Sequence, residues 1–156
     1  MKEFIIVLFS LILLTGCATK YQSVGFTGGY SETKLGENIF QVTFEGNGYT
    51  STTRANDLAL LRAAELTIEN GYKFFIITNS ITDSTNFAYS TPKVYNTTFN
   101  RNSATTYSSG GNTFFIAKPS SNNTIVCFKD KPENILLVYD AKFLYDSLKA
   151  KYGIEK

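Results

Sequence analysis

The sequence predicts an α+β fold: a mixed β-sheet of about four or five strands with a βαβ core, two helices packed on it, and a Ser/Thr/Asn-rich insertion at about residues 79–112. Three observations carry this expectation. A capped helical stretch ends at Gly71, apolar β-forming runs lie on either side of it, and a second helical repeat closes the chain.

The first helix is punctuated at both ends. Ser51, Thr52 and Thr53 offer hydroxyls to the unpaired N–H groups of a first turn, with Thr53 expected as the cap, and Gly71 stands where a left-handed stop residue belongs. Between them Leu58, Leu61, Ala64 and Ile68 recur at steps of three and four, one apolar stripe that Leu60 widens. The second face, with Arg62, Ala63, Leu66 and Glu69, is mixed, and Arg62 and Glu65 are spaced to pair. After the stop, residues 72–78 form a short apolar run that reads as a strand buried on both faces. Upstream, Ile39–Glu45 alternates, with Phe40, Val42 and Phe44 facing one way, as a half-buried strand does. Strand, helix and strand in this order make a crossover unit, right-handed if the two strands are neighbours.

Gly28-Gly29-Tyr30-Ser31 and Gly46-Asn47-Gly48 read as turns. The second lacks the spacing and the Lys-Ser/Thr of a phosphate-binding loop. From residue 78 to 124 Ser, Thr and Asn dominate, and the apolar residues are isolated aromatics. Phe87, Tyr89, Tyr95 and Phe99 share odd positions, and Gly110-Gly111 lies between Tyr107 and Phe114. That pattern fits a protruding ribbon with an aromatic, partner-binding face, and it equally fits a solvated loop. Residues 113–117 and 124–128 are expected as the last two strands, joined by a turn through Pro119-Ser-Ser-Asn-Asn. Lys131-Pro132 breaks the chain, and residues 135–139 read as coil or a short strand. Phe143, Leu144, Leu148 and Tyr152 then recur at helical spacing before Gly153, predicting a second helix on the same sheet.

The front of the chain carries an address. Residues 1–14 have a charged start and an apolar stretch too short for a permanent span, as a signal peptide does. Leu14-Thr15-Gly16-Cys17-Ala18 looks like the bacterial lipobox, in which the Cys17 thiol is acylated before cleavage makes it the new N-terminus. Two or three acyl chains on one residue hold a soluble domain durably where one would not. The expected organisation is a leader at 1–16, a lipidated tether at 17–27 and one domain at 28–156. Because Ala18 rather than aspartate follows the cysteine, the resemblance to sorted Gram-negative lipoproteins implies the outer membrane, with the periplasmic face expected over the cell surface and the leaflet open. A tether of that length spans at most about 35 Å, so the domain stays near its membrane.

Composition narrows the chemistry. Fifteen basic against thirteen acidic residues give a net charge of +2, which is no electrostatic footprint for nucleic acid. The chain has no histidine, which removes His-based triads and nearly every zinc site, and no motif calls for a cofactor. Of the two cysteines, Cys127 lies in an apolar strand and reads as a small buried hydrophobe. Among the acids, Glu65 and Glu69 fall one helical turn apart on what reads as a solvated face.

Gly29-Tyr30-Ser31, Val42-x-Phe44-x-Gly46-Asn47-Gly48-Tyr49-Thr50, Asp57-x-Ala59-Leu60-Leu61-Arg62-Ala63-Ala64-Glu65 and Gly71-Tyr72 together resemble a Caulobacter-type family of small bacterial lipoproteins. The resemblance covers residues 14–78, and Lys129 to Pro132 with Tyr139-Asp140-Ala141 is similar to that family's end. It implies the lipid anchor and the βαβ core and transfers no catalytic residue. The insertion departs from it.

The functional expectation is therefore a non-enzymatic binding or structural lipoprotein whose partner is an envelope protein or peptidoglycan, with membrane contact through Cys17. Two rivals stand beside it. A small envelope hydrolase or glycan-processing enzyme would use Asp57 with Arg62, or Tyr30 with Tyr49, and needs those groups to converge in one cleft. A surface-displayed adhesion module would use the insertion.

Overall fold

A computed structural model describes residues 18–155. The expected signal peptide and Cys17 lie outside the described residues. The elements are β1 (Gly29–Lys34), β2 (Ile39–Glu45), α1 (Thr52–Glu69), β3 (Phe74–Ser90), β4 (Lys93–Asn100), β5 (Ser103–Gly110), β6 (Thr113–Phe128), β7 (Tyr139–Asp140) and α2 (Ala141–Tyr152). The fold is α+β, as the sequence predicts: a five-stranded sheet in the order β1-β2-β6-β3-β7, with two helices and a separate β4-β5 hairpin. Every neighbouring pair is antiparallel. Because β2 and β3 each run antiparallel to β6, they are parallel to one another, but β6 separates them. The crossover through α1 therefore straddles one strand.

The core lies between one face of the sheet and α1. Phe40, Val42 and Phe44 of β2, Phe75 of β3, and Ile125 and Cys127 of β6 point into it and are buried. The Cys127 thiol meets the Thr67 hydroxyl at 3.3 Å. On α1 the buried residues include Ala59, Ala63, Leu66 and Thr67, so a stripe at three- and four-residue spacing is present. Leu58, Leu61 and Ala64 of the expected stripe are buried, but Ile68 is exposed, and burial spreads to the mixed face, where Arg62 is buried. Alanine at 55, 59, 63 and 64 lets neighbouring elements approach the helix closely, which is why it can be covered on two sides. The helix stop is as predicted. Gly71 is left-handed, and the N–H groups of Gly71 and Tyr72 donate to the carbonyls of Ile68 and Thr67, closing a Schellman motif.

Several expectations are corrected. The cap of α1 is Ser51, whose Oγ accepts from Arg54 N at 3.1 Å, not Thr53. Buried Thr50, bonded to Thr19 and Asn47, fixes where the chain turns into the helix. Residues 72–78 are not buried on both faces, since no helix among the described residues covers the outer face of the sheet and only Phe75 is fully enclosed. Helix α2 packs chiefly against α1, where Leu148 joins Leu58 and Leu61, and reaches the Phe75 cluster at Ala141. Exposed Phe143 takes no part in its buried stripe. Residues 29–31 are strand rather than turn. Their alternation is hidden because Glu32 occupies an inward position, sharing a face with Tyr30 and lying opposite Val42.

The expected turn at 119–123 does not exist, and β6 runs through it without a break. Its inward positions Pro119, Ser121, Asn123, Ile125 and Cys127 alternate with half-buried ones. The period of two is intact, but the buried residues are small and polar, so composition concealed it. They are satisfied by one another: Ser80 Oγ donates to Asn123 Oδ1 at 2.6 Å, and Ser121 Oγ donates to Asn56 Oδ1 of α1 at 3.0 Å. The carbonyl of Pro119 accepts from Gly46 N at 2.8 Å. The missing N–H of the proline thus faces the side on which β2 ends and leaves the ladder to β3 whole.

The segment expected as a free tether is folded onto the domain. Thr19 is buried, its N–H donating to Thr50 Oγ1 at 3.0 Å and its hydroxyl to the Thr27 carbonyl at 2.9 Å. Residues 22–25 bridge to the start of β1. A Cβ on Gly29 would stand 2.4 Å from the Gln22 carbonyl oxygen, so only glycine fits there. Truncating the buried amide by Asn123→Ala leaves Ser80 without its acceptor, and equilibrium urea unfolding is expected to show a loss of about 2–3 kcal/mol.

Candidate functional site

Arg62 is the most heavily engaged polar residue of the body. Its Nη2 meets Glu32 Oε1 at 2.9 Å and its Nη1 meets Glu65 Oε2 at 2.7 Å and Glu69 Oε1 at 3.4 Å. The guanidinium also lies 4.6 Å from the centroid of the Tyr30 ring, which itself packs on Tyr21. The Tyr21 hydroxyl donates to Glu65. Burial opposes the charge on Arg62, but the bonds to Glu32 and Glu65 outweigh it and raise its pKa further. Burial, reinforced by Glu65, holds the Tyr21 phenol protonated well above its ordinary range. Glu65 and Glu69 are thus partners of Arg62 rather than a solvated pair.

Asp57 serves a different joint. Lys151 Nζ and Tyr152 Oη both donate to its Oδ2 at 2.6 Å, tying the end of α2 to α1, and the Arg54 guanidinium lies over the Tyr152 ring. Asp57 and Arg62 therefore engage separate partners. Tyr30 is committed to Arg62 and Tyr21, while Tyr49 is exposed at the opening of α1. Neither pair that the sequence offered for catalysis is brought together. Among the described residues, no group of three or more Cys, Asp or Glu residues is placed to hold a metal ion.

The insertion is a long arm. Beyond the end of β2, β3 and β6 continue as a two-stranded ribbon from Ser84 opposite Pro119 to Ser90 opposite Thr113. The β4-β5 hairpin follows, joined through backbone bonds between Thr91, Gly111 and Asn112. Gly110 and Gly111 both have positive φ at this joint. A bulge at Thr78 reverses the facing of β3. Odd residues point inward before it, as at Phe75, and outward after it, as at Phe87 and Tyr89. Phe87 stands opposite Ile116 and Tyr89 opposite Phe114, so these four share one face, with Lys118 Nζ over the Phe87 ring at 4.7 Å. Tyr95 and Phe99 share a face of β4 in the hairpin. All four aromatic residues singled out in the sequence are exposed.

At the root of the arm lies a groove of about 710 Å³. One wall is the turn 47–50 with Ser51 and Thr52 at the opening of α1; the other is Phe115, Ile116 and Ala117 of β6. Strand β2 ends at Glu45, so from Pro119 back to Thr113 the strand β6 pairs only with β3. Its second edge is open along the groove. Tyr49, which the sequence offered with Tyr30, lines this groove, but sequence reading missed Phe115, Ile116 and the edge itself. The signal that could have found them is the period-two run through Ser121 and Asn123, which makes β6 too long for its neighbour β2.

No family model, no curated protein and no solved structure matches this chain, and its own geometry is what carries a functional reading. No helix among the described residues is long and apolar enough to cross a membrane.

Two outcomes follow from the Arg62 cluster. Arg62→Met leaves three carboxylates facing one another and is expected to lower stability by about 2–3 kcal/mol, discounted for their partial exposure, in urea titrations. Arg62→Lys recovers only part, because one ammonium cannot span Glu32 and Glu65 as the guanidinium fork does. Stability is also expected to fall at alkaline pH. Cys127, held up by burial despite its contact with Thr67, and Tyr21 keep their protons in the fold, whereas the unfolded chain releases them near 9.0 and 10.0. A raised native pKa stabilises fully below those values and the contribution is lost above them. Tyr152 and Lys151, also raised, add in the same direction. Tyr21→Phe is expected to flatten the decline above pH 10 in urea unfolding at a series of pH values.

Proposed function

We propose that this chain is a non-enzymatic binding module, moored to the bacterial outer membrane by lipid on Cys17, that takes an extended segment of an envelope protein on the open edge of β6. One observation carries the reading: the unpaired stretch of β6 runs beside an apolar groove about 710 Å³ in size. An edge strand offers alternating N–H and C=O groups to any extended chain, and a flanking groove supplies pockets for that chain's side chains. In β6 the groups of Ala117 and Phe115 point the same way as those of Pro119, toward the side β2 would occupy if it continued. Gly48 keeps the groove wall close, since a Cβ there would stand 2.5 Å from Ile116 Cγ2. The separate commitments of Asp57, Arg62 and Tyr30, with Tyr49 exposed apart from them, favour binding over hydrolysis.

Strand addition is backbone recognition, so its test removes a backbone donor. A photo-crosslinking residue at Phe115 is expected to capture a protein in intact cells, while the same residue at Leu35, in the exposed β1–β2 turn, captures none. Ala117→Pro deletes one N–H on the open edge while sparing the ladder to β3, and is expected to reduce the adduct about tenfold. Equal capture at Phe115 and Leu35 would refute the proposal.

A further inference from the structure

The chain leaves the described fold at a defined place. Buried Thr19 is the knot there: it takes a hydrogen bond from Asn47 N at 2.8 Å, donates through its N–H to Thr50, and donates through its hydroxyl to Thr27. It thereby holds two turns side by side, 25–28 and 47–50. Each turn displays one large apolar side chain to solvent. Phe26 is as exposed as a side chain in an unfolded chain, at 107%, and Tyr49 is 75% exposed. Val24, beside the first turn, is also exposed, and Lys20 stands in solvent next to Thr19. Neither aromatic ring belongs to the core, and neither is needed to close its turn, which backbone bonds and Asn47 already hold.

We infer that this end of the domain is a membrane seat, with Phe26 and Tyr49 entering the boundary between headgroups and acyl chains beside the lipidated cysteine. The inference rests on the lipid anchor proposed above. Cys17 is two residues before Thr19, so its Cα lies at most about 7 Å from a buried, hydrogen-bonded residue. With so little slack the acyl chains of Cys17 bring the two turns to the bilayer surface. Aromatic rings and a lysine are the side chains that partition to that interface. A flat seat beside the anchor also supplies a second membrane signal to the same molecule, fixing its orientation as well as its attachment.

The chain contains no tryptophan, so a single one reports without background. The mature lipidated protein would be reconstituted in vesicles of phosphatidylethanolamine and phosphatidylglycerol carrying brominated acyl chains. Phe26→Trp and Tyr49→Trp are expected to show blue-shifted emission and loss of intensity to the bromines. Leu35→Trp, in the turn at the opposite end of β1, is expected to keep solvent-like emission. Equal quenching at all three positions, or none at 26 and 49, overturns the seat while leaving the anchor standing. A blue shift that grows with protein concentration without vesicles assigns the face to a second copy and also overturns it. Mass measurement of the mature N-terminus separates the two readings: an unacylated Cys17 removes the anchor and the seat with it.

Discussion

A single guanidinium ties the edge strand β1 to the helix that covers the sheet. Arg62 sits within the helix that covers the sheet, yet its charged end faces carboxylates from β1 and from its own helix, and a tyrosine ring. An unpaired charge at that depth would be costly, so the cluster forms as a unit or not at all. Its geometry fixes β1 against α1 through Glu32, and it fixes the N-terminal segment through Glu65 and Tyr21. This side chain adds a polar tie between α1 and both the edge strand and the first described residues, beside the β1–β2 ladder and the Thr19 hydrogen bonds.

The second constraint lies at the other end of α1. There the sheet's inward face changes from Ile125 and Cys127 to Asn123 and Ser121, and the facing residues become Ser80 and Asn56. Small polar groups that satisfy one another let the strands pass from a packed interior into solvent without leaving a buried polar group unpaired. The bulge at Thr78 occurs at the same level and turns Phe87 and Tyr89 away from the helix side. An apolar run at these positions would demand cover that neither helix can supply. The arm is thus continuous with the core in hydrogen bonding and separate from it in packing.

That separation gives the molecule two working surfaces. One is the open edge of β6 with its groove, where the backbone itself is the recognition element. The other is the pair of turns knotted by Thr19, where the chain comes from Cys17. They meet at residues 47–50, which wall the groove and whose Asn47 N–H donates to Thr19. A binding surface rooted beside an anchor is held at a fixed height above its membrane.

The sequence by itself determined what local rules can see. Alternation in β2, the glycine stop at Gly71 and the helical spacing before Gly153 settle those elements, since each depends on neighbours a few residues away. Absence of histidine removes whole classes of catalysis on composition alone. Tertiary structure decided everything in which a polar residue takes a buried place. Ser121 and Asn123 in β6, Arg62 in α1 and Thr19 at the start of the fold all read as surface or turn, because a polar residue is tolerated inside only when its partner is present. Those partners lie 30 or more residues away for Arg62 with Glu32 and for Thr19 with Thr50. No pattern along the chain announces them, and the groove and both proposed contact surfaces exist only because these distant pairs close.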